Sequence, residues 1–478
     1  MKKMNHTQVL IVGAGPVGLL LAAYLTKFGV AVRIIDKRQR DVSLRRAIAV
    51  SMASMNIFES LGIADEIVKQ SRQVSNLTMY WEGNRLLNVN FKHLKTNYPY
   101  FVHIYQPQIE DILIDYLKDH NVVVERGIDF VSAVQDEQKV SAILEDNQTK
   151  CEFFTCDYLI GCDGGNSKVR EAFGIGVEVE SYDSYFVLAD VNLDWKYEGK
   201  YQVHYFMNET GYLMVVPGPG EMHRVIGSFL GNDLPKEIDK KFIQNMVDDK
   251  GPGGIVIKNL DWHACAGFGH KIAKTGQVGR VFLAGDSYHL FSPVGGINMN
   301  IGLQDAQNLA WKLSCALKKQ EDAKILDTYV QERGYVIEKV LQASKERTFI
   351  ITHAPQMDQE GASAYLPGFY NRKHFKYELP LCFAGFDLAY PVDQILIKGQ
   401  HHLLGKHIAN LDWFANSAYS IIARSPVKCT QYSVKNYISS AVEEDMVYLV
   451  RPDNYIALVA PREKIDVELR EYFKGAYG

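Results

Sequence analysis

The sequence predicts an α/β protein with a Rossmann-like dinucleotide-binding domain, an inserted β-sheet domain and a separate C-terminal domain. Three observations carry this. Short apolar runs at Val9–Val12, Tyr158–Gly161 and Val281–Ala284 each break on a glycine-bearing turn, the pattern of buried parallel strands that deliver the chain to a ligand at their carboxyl ends. Between the second and third runs, residues 184–268 alternate apolar and polar side chains in several short stretches, as half-buried strands do. A loop-like stretch from His353 to Lys373, with Pro355, Gly361, Pro367 and Gly368, then sets off the last part of the chain.

The bulk numbers agree. A chain of 478 residues supports about three domains. Hydrophobic residues are 47% and charged residues 23%, an ordinary globular balance. A net charge of -4 argues against general affinity for nucleic acid. The seven cysteines (Cys151, Cys156, Cys162, Cys265, Cys315, Cys382 and Cys429) form no C-x-x-C pair and no zinc spacing, so no metal site is expected and the thiols read as reduced, in a cytoplasmic protein. Lys2 and Lys3 ahead of the apolar run Val9–Leu25 imitate a signal peptide. Gly13, Gly15 and Gly18 interrupt that run, and it is short against the ~20 residues of a membrane span. A folded segment without a membrane span is expected.

Taken in order, Val9–Val12 forms a strand, Gly13-Ala14-Gly15-Pro16-Val17-Gly18 a turn, and Leu19–Phe28 a helix closed by Gly29. The three glycines suit a tight turn, backbone approach to a pyrophosphate, and close helix-to-strand packing. The next strand, Val32–Ile35, ends on Asp36, where a carboxylate can bind ribose hydroxyls; Lys37 follows it and joins the candidate set. A helix is predicted over Met52–Leu61, an amphipathic one from Gln106, and short strands over Val122–Val124 and Val140–Leu144. Asp163 and Gly164 follow the next apolar run, and Asp163 reads both as a ligand contact and as a cap of the following helix. In the alternating region Tyr201, His204, Tyr205, Phe206, Tyr212 and Met214 offer an aromatic lining, though alternation turns about half of them away. Tyr205, Tyr212 and Met214 are the pocket candidates.

The stretch Arg280–Leu313 organises the rest. Its strand ends on Gly285 and Asp286, a loop with Pro293, Gly295 and Gly296 follows, and helical spacing begins near Asn300. A carboxylate, a glycine-rich turn and a helix N-terminus suit a ligand with hydroxyls and a developing negative charge. Reduced flavin is such a ligand: a ribityl hydroxyl for Asp286, the N1/C2=O edge for the helix end.

These motifs resemble those of the class A (single-component) flavoprotein aromatic hydroxylases, FAD-dependent monooxygenases, in the phenol hydroxylase and aromatic polyketide hydroxylase branch. The matching residues are Gly285–Asp286, His289, Pro293, Gly295–Gly296 and Met299–Asn300, with Gln106, Asp163 and the Arg46–Ala47 pair. Asn298 stands where the family usually has glycine; asparagine tolerates a left-handed backbone, which would keep the loop intact. Ile48 lies in the region where phenol hydroxylases carry the acid that deprotonates the phenol, so that base is missing. The resemblance implies catalytic positions at Arg46, Pro293 and Gly296, and implicates Arg170 with Asp163 in nicotinamide and flavin handling. Tyr448-Leu449-Val450-Arg451-Pro452-Asp453 resembles a strand of the family's thioredoxin-like C-terminal domain, here without an active cysteine pair. The implied division is a FAD-binding domain over 1–183 and 273–372, a β-sheet substrate domain over 184–272, and a thioredoxin-like domain over 373–478.

The implied activity uses NADPH or NADH and O₂ to hydroxylate a phenolic or polyketide-like substrate through a flavin C4a-hydroperoxide. With no second GxGxxG, the nicotinamide would bind transiently. Baeyer–Villiger oxygenation and a non-catalytic flavoprotein holding an aromatic intermediate remain open, as do monomer and homodimer. A halogenase would need a G-W-x-W-x-I-P segment, which none of the five tryptophans provides. A disulfide reductase would need a redox cysteine pair.

Overall fold

The computed structural model describes residues 5–477 other than 40–46, 95, 198, 232–234, 293–295, 319–322, 354–383, 386, 393–396, 398–400, 402, 408–418, 428–433 and 440–441. Its first sheet places the predicted apolar runs side by side. Strand His6–Val12 lies between Cys151–Gly161 and Val32–Asp36, both parallel to it. Val281–Leu283 continues the sheet beyond the first and Val124–Arg126 beyond the second. Val9, Leu10, Ile11, Leu159, Ile160, Phe282 and Leu283 are fully buried, as central strands covered on both faces must be. Val122 and Val123, expected as strand, precede it instead. Asn121 takes a left-handed turn (φ 61°) after the preceding helix, and pairing starts only at Val124 opposite Ile34.

The helices obey local signals. α1 (Pro16–Lys27) carries proline in its first turn, where the missing N–H costs nothing. α2 (Met52–Leu61) is capped by the Ser51 hydroxyl and stopped by left-handed Gly62 (φ 79°). α3 (Ala64–Lys69), α4 (Gln106–Asp119), α5 (Lys168–Ala172) and α6 (Lys240–Lys250) follow. The long α7 (Asn298–Leu317) and α8 (Asp327–His353) come next, and α9 (Ile465–Tyr477) ends the chain. No helix of the described residues is long and apolar enough to cross a membrane.

The second sheet is built on two 19-residue strands, Val177–Trp195 and Ile255–Ala273, antiparallel along their lengths. The boundaries at 184 and 272 therefore fall inside continuous strands. Met222–Leu230, Gly211–Pro217 and Val203–Asn208 extend the sheet, as the alternation predicted. A hairpin from the first part of the chain, Asn76–Trp81 and Asn84–Asn90, completes it by pairing parallel to Val203–Asn208. Its tight turn has positive φ at both Glu82 (44°) and Gly83 (76°), the mirror-image turn whose twist suits a two-residue hairpin. One face of this sheet packs under α6 through Phe206, Leu213 and Val215. The other packs against Ile48, Met52 and Phe91.

The C-terminal sheet has the order Lys435–Ile438, Ser420–Ala423, Met446–Val450, Ile456–Pro461, with the first pair parallel and the other two antiparallel. With α9 after the last strand, this is a thioredoxin-like core.

Candidate functional site

Register brings three distant turns to one edge. Val12 pairs with Gly161, Gly161 with Leu283, and Val12 with Ile35. The residues just beyond, Gly13, Asp36, Cys162–Asp163 and Gly285, therefore form a row at the carboxyl ends of neighbouring parallel strands. The chain crosses over on both sides of His6–Val12, so this row lies at a topological switch point, where open α/β sheets bind ligands.

The first-turn glycines differ in physical cause. Gly13 takes φ 105° and has no room for a side chain, which would strike the Cys162 carbonyl. Gly18 packs against the Gly13 carbonyl and lies where a side chain would come 3.2 Å from the Cys162 Cβ. Gly15 has neither reason: its backbone is extended (φ -80°, ψ -178°), and a Cβ there would meet nothing within 4 Å. The space it keeps clear lies at the N-terminus of α1, the place for a pyrophosphate. The residues present thus fit the dinucleotide end of FAD.

Asp36 is almost fully buried and accepts from the backbone N–H groups of Ala14 and Arg38, each at 2.9 Å. Arg126 lies 3.4 Å from it. Burial pushes the Asp36 carboxyl up, but those backbone N–H groups and the Arg38 guanidinium outweigh it and hold it below the usual range. An ionised acceptor therefore stands at the carboxyl end of the second strand. Lys37, the next residue, is exposed. Gln106, in the first turn of α4, donates to Glu110 at 2.9 Å. Burial raises the Glu110 carboxyl, against the opposing pull of Gln106, Arg126 and Arg38.

Asp163 supports the start of α5 from outside the helix, whose N-cap residue is Ser167. One oxygen accepts from the Val169 N–H in the first turn of α5, the other from the Ser287 hydroxyl at 3.0 Å. Ser287 in turn accepts from the Gly164 N–H at 2.9 Å, tying the second glycine turn to the third. Arg170 is buried and spends its guanidinium on the carbonyls of Ser287 and Gly165. It staples the two turns. Asp286, partly buried, follows Gly285 (φ 61°) in a short 3-10 turn.

The start of α7 corrects one expectation. Asn298 is not left-handed; it is the first residue of the helix, and its amide clamps both the N–H and the carbonyl of Phe291, at 2.7 and 2.8 Å. Among the described residues of this loop, Gly296 is left-handed (φ 62°), and a Cβ there would meet nothing within 4 Å. Asn300 is also spoken for: its oxygen accepts from the Ser51 N–H and the Ser54 hydroxyl, and its nitrogen donates to the Ala49 and Gly296 carbonyls. What Asn298, Met299 and Asn300 offer a ligand is the backbone N–H groups of a first helical turn. Arg46, Pro293 and Gly295 lie outside the described residues, as do Cys382, Cys429 and most of the proposed linker.

Tyr205, Tyr212 and Met214 share one face of the second sheet, with Phe186, and pack with Ile48, Met52 and Ala53. Phe206 faces the opposite side. Because Asn300 holds Ala49 and Ser51, this aromatic face sits beside the start of α7. A cavity of about 350 Å³ also borders Gly296 and Asn300, walled by Phe101, Ile301, Val340 and Leu388.

Sequence reading passed over Ser287, Arg126 and Asp305, which organise these turns. Ser287 was legible beside the Gly285–Asp286 pair; Arg126 and Asp305 depend on contacts 90 and 20 residues away along the chain.

The profile of the FAD binding domain family matches residues 6–344. The chain is 31% identical over 349 residues to 6-methylpretetramide 4-monooxygenase of Streptomyces rimosus, covering 72% of this chain but only 62% of that protein. It is 29% identical over 379 residues to pentachlorophenol 4-monooxygenase of Sphingobium chlorophenolicum, covering 77% and 69%. The fold matches an anhydrotetracycline hydroxylase from Streptomyces rimosus with TM-score 0.81 at 21% identity, covering 99% of both chains.

Proposed function

Because this chain belongs to the FAD binding domain family, we propose that it is an FAD-dependent monooxygenase that hydroxylates a phenolic or polyketide-like aromatic substrate with NADPH or NADH and O₂. The observation that carries this reading is the placement of an aromatic, apolar face, Tyr205, Tyr212 and Met214, next to the helix start that would receive the flavin ring. The relatives support it: the two similar sequences are named as monooxygenases of a polyketide-type and a chlorinated phenol substrate.

In this reading the Gly13–Gly18 turn and the α1 N-terminus hold the pyrophosphate, and Asp36 the ribose. Asp163 and Gly164 close the phosphate end, Asp286 binds a ribityl hydroxyl, and the first N–H groups of α7 face the N1/C2=O edge. Arg46, Gln106, Pro293, Gly295 and Gly296 complete the flavin surroundings. Bound FAD would supply the redox chemistry of such a reaction. The protein's part is to orient the substrate and keep water out. The partial positive charge at the N-terminus of α7 would favour negative charge on a group bound there. Ile48 is buried against the aromatic face, so no carboxylate at that position takes the phenolic proton. The free thiols of Cys151, Cys156, Cys162 and Cys265 fit a reducing, cytoplasmic setting, and both monomer and homodimer fit a site built within one chain.

The test is a screen of phenols and polyketide-like quinols for stimulated NAD(P)H oxidation by the FAD-loaded protein, with mass detection of oxygenated product. Stimulation with an added oxygen supports the reading. Product structure separates hydroxylation from Baeyer–Villiger insertion. A protein that binds FAD and an aromatic ligand yet oxidises no nicotinamide would be a flavoprotein of another kind.

A further inference from the structure

Among the described residues no strand of the C-terminal sheet lines the site above, yet two charged residues at the end of its strand Met446–Val450 are buried to 0 and 1% exposure: Arg451 and Asp453. They belong to a network that runs through α8 and α7. Arg451 pairs with Glu332 of α8 at 2.5 and 2.8 Å and with Asp453 at 2.6 Å. Glu332 also receives Lys312 of α7 at 2.8 Å. Asn308, one turn earlier on α7, lies within hydrogen-bond reach of Glu332, Tyr390 and Asp453. Next to Glu332, Arg333 donates to Asp305 at 2.6 Å and to the Ile301 carbonyl at 3.1 Å. Asp305, Asn308 and Lys312 are three and four residues apart, so they form one stripe of α7.

Asp305 connects this stripe to the third glycine turn. Its second oxygen accepts from the Gly285 N–H at 3.0 Å and faces His289 Nε2 at 2.5 Å. Gly302, one turn before on α7, would put a Cβ 3.1 Å from the Gly285 Cα, so the helix and the turn are in backbone contact. Three acids (Asp305, Glu332, Asp453) balance three bases (Lys312, Arg333, Arg451), all out of water. Buried ion pairs add little net stability over apolar packing, but they are directional. One end of this network fixes the Ala284–Gly285 peptide, one residue before Asp286.

We infer that Asp305 is the positioning residue of the Gly285–Asp286 turn, and that Arg451 is its far anchor, so that docking of the C-terminal sheet sets FAD affinity. The inference rests on the FAD reading for its ligand. It gives the C-terminal region a task that needs no cysteine chemistry: holding the register of α7 and α8 on which Asp286 is aimed.

The experiment uses the full chain with Arg451→Met, Arg451→Lys and Asp305→Asn. Hydrogen exchange of the apo protein is followed at Gly285 and at residues 446–450, and FAD is titrated by flavin fluorescence. The expected result is at least about tenfold faster exchange at Gly285 and at least about tenfold weaker FAD binding in Arg451→Met, with partial rescue in Arg451→Lys. Asp305→Asn should match the Gly285 effect while leaving exchange at 446–450 as in the parent. If Arg451→Met does not fold, Asp453→Asn loosens the same arginine and is read the same way. Faster exchange at 446–450 with unchanged Gly285 exchange and unchanged FAD affinity overturns the coupling. A parent protein that takes up no FAD defeats the FAD reading instead, and the Gly285 exchange then still decides whether the network reaches the turn.

Discussion

Gly15→Ala separates a glycine needed by the fold from one needed by the ligand. The Gly15 backbone is one that alanine adopts, and its Cβ would meet no protein atom within 4 Å. Alanine restricts the unfolded chain, a gain of ~0.4–1 kcal/mol, but caps a helix less well than glycine, a loss of similar size. Stability of the apo protein should therefore change by less than about 1 kcal/mol. FAD should feel the methyl directly. Displacing the pyrophosphate from the turn loses at least one hydrogen bond to a charged group, ~1.5–3 kcal/mol, or roughly 10- to 150-fold in affinity. Gly18→Ala is the contrast, because its Cβ would overlap the Gly13 carbonyl, an overpacking cost of ~1–3 kcal/mol in the apo protein itself. Urea denaturation of both apo variants and FAD titration of both are the assays. A Gly15→Ala protein as unstable as Gly18→Ala, or one that binds FAD like the parent, refutes the assignment of that space to the ligand.

Three further outcomes are expected. Asp286→Ala should weaken FAD ~10- to 150-fold by loss of a charge-assisted hydrogen bond, and fluorescence titration that finds parental affinity would place the ribityl chain elsewhere. Glu332 gives a pH signature: burial pushes its carboxyl up, but Arg451 and Lys312 outweigh that and hold it at about 2. Its folded value lies below the unfolded value of ~4.3, so its contribution is present above about pH 4.3 and is lost as pH falls toward about 2. Glu332→Gln should cost ~3–5 kcal/mol at neutral pH, and the gap to the parent should narrow through that acid window; a constant gap in denaturation free energy contradicts the pairing. Finally, one flavin without a separate nicotinamide domain implies gating, so a true substrate should raise the anaerobic flavin reduction rate at least roughly tenfold, about 1.4 kcal/mol of barrier. Stopped-flow absorbance that shows equal reduction with and without substrate removes the gating model.

Much of the row of turns at the strand ends was legible because it is local. Gly13–Gly18 and Gly285–Asp286 each read as strand, turn and helix within a short window, and sheet register then brought them together. The letter alone did not say why each glycine is there. Gly285 answers to Val17, Gly13 to the Cys162 carbonyl, and Gly15 to nothing in the protein. Asn298 was misjudged because its amide bonds to Phe291, seven residues away, a contact that spacing does not announce. Alternation in Val203–Asn208 and Gly211–Pro217 correctly implied two faces. The face that holds Tyr205 and Tyr212 became definite only with Ile48 and Met52 beside it. Hairpin Asn76–Asn90 joins a sheet formed by residues more than a hundred positions later, and such pairing has no short-range signal. The buried charges were invisible for another reason. Asp305, Glu332 and Arg451 look like solvated helix and loop residues until their partners are known.

Oxygen-18 gas gives the most direct test of the proposed monooxygenation. The FAD-loaded protein, a substrate found by the NAD(P)H screen and the nicotinamide are incubated under the labelled gas in unlabelled water, and the product is weighed by mass spectrometry. The account predicts one labelled oxygen atom in each product molecule and one nicotinamide oxidised per product. Unlabelled product, or nicotinamide oxidation that yields only hydrogen peroxide with every aromatic compound that binds, would contradict it.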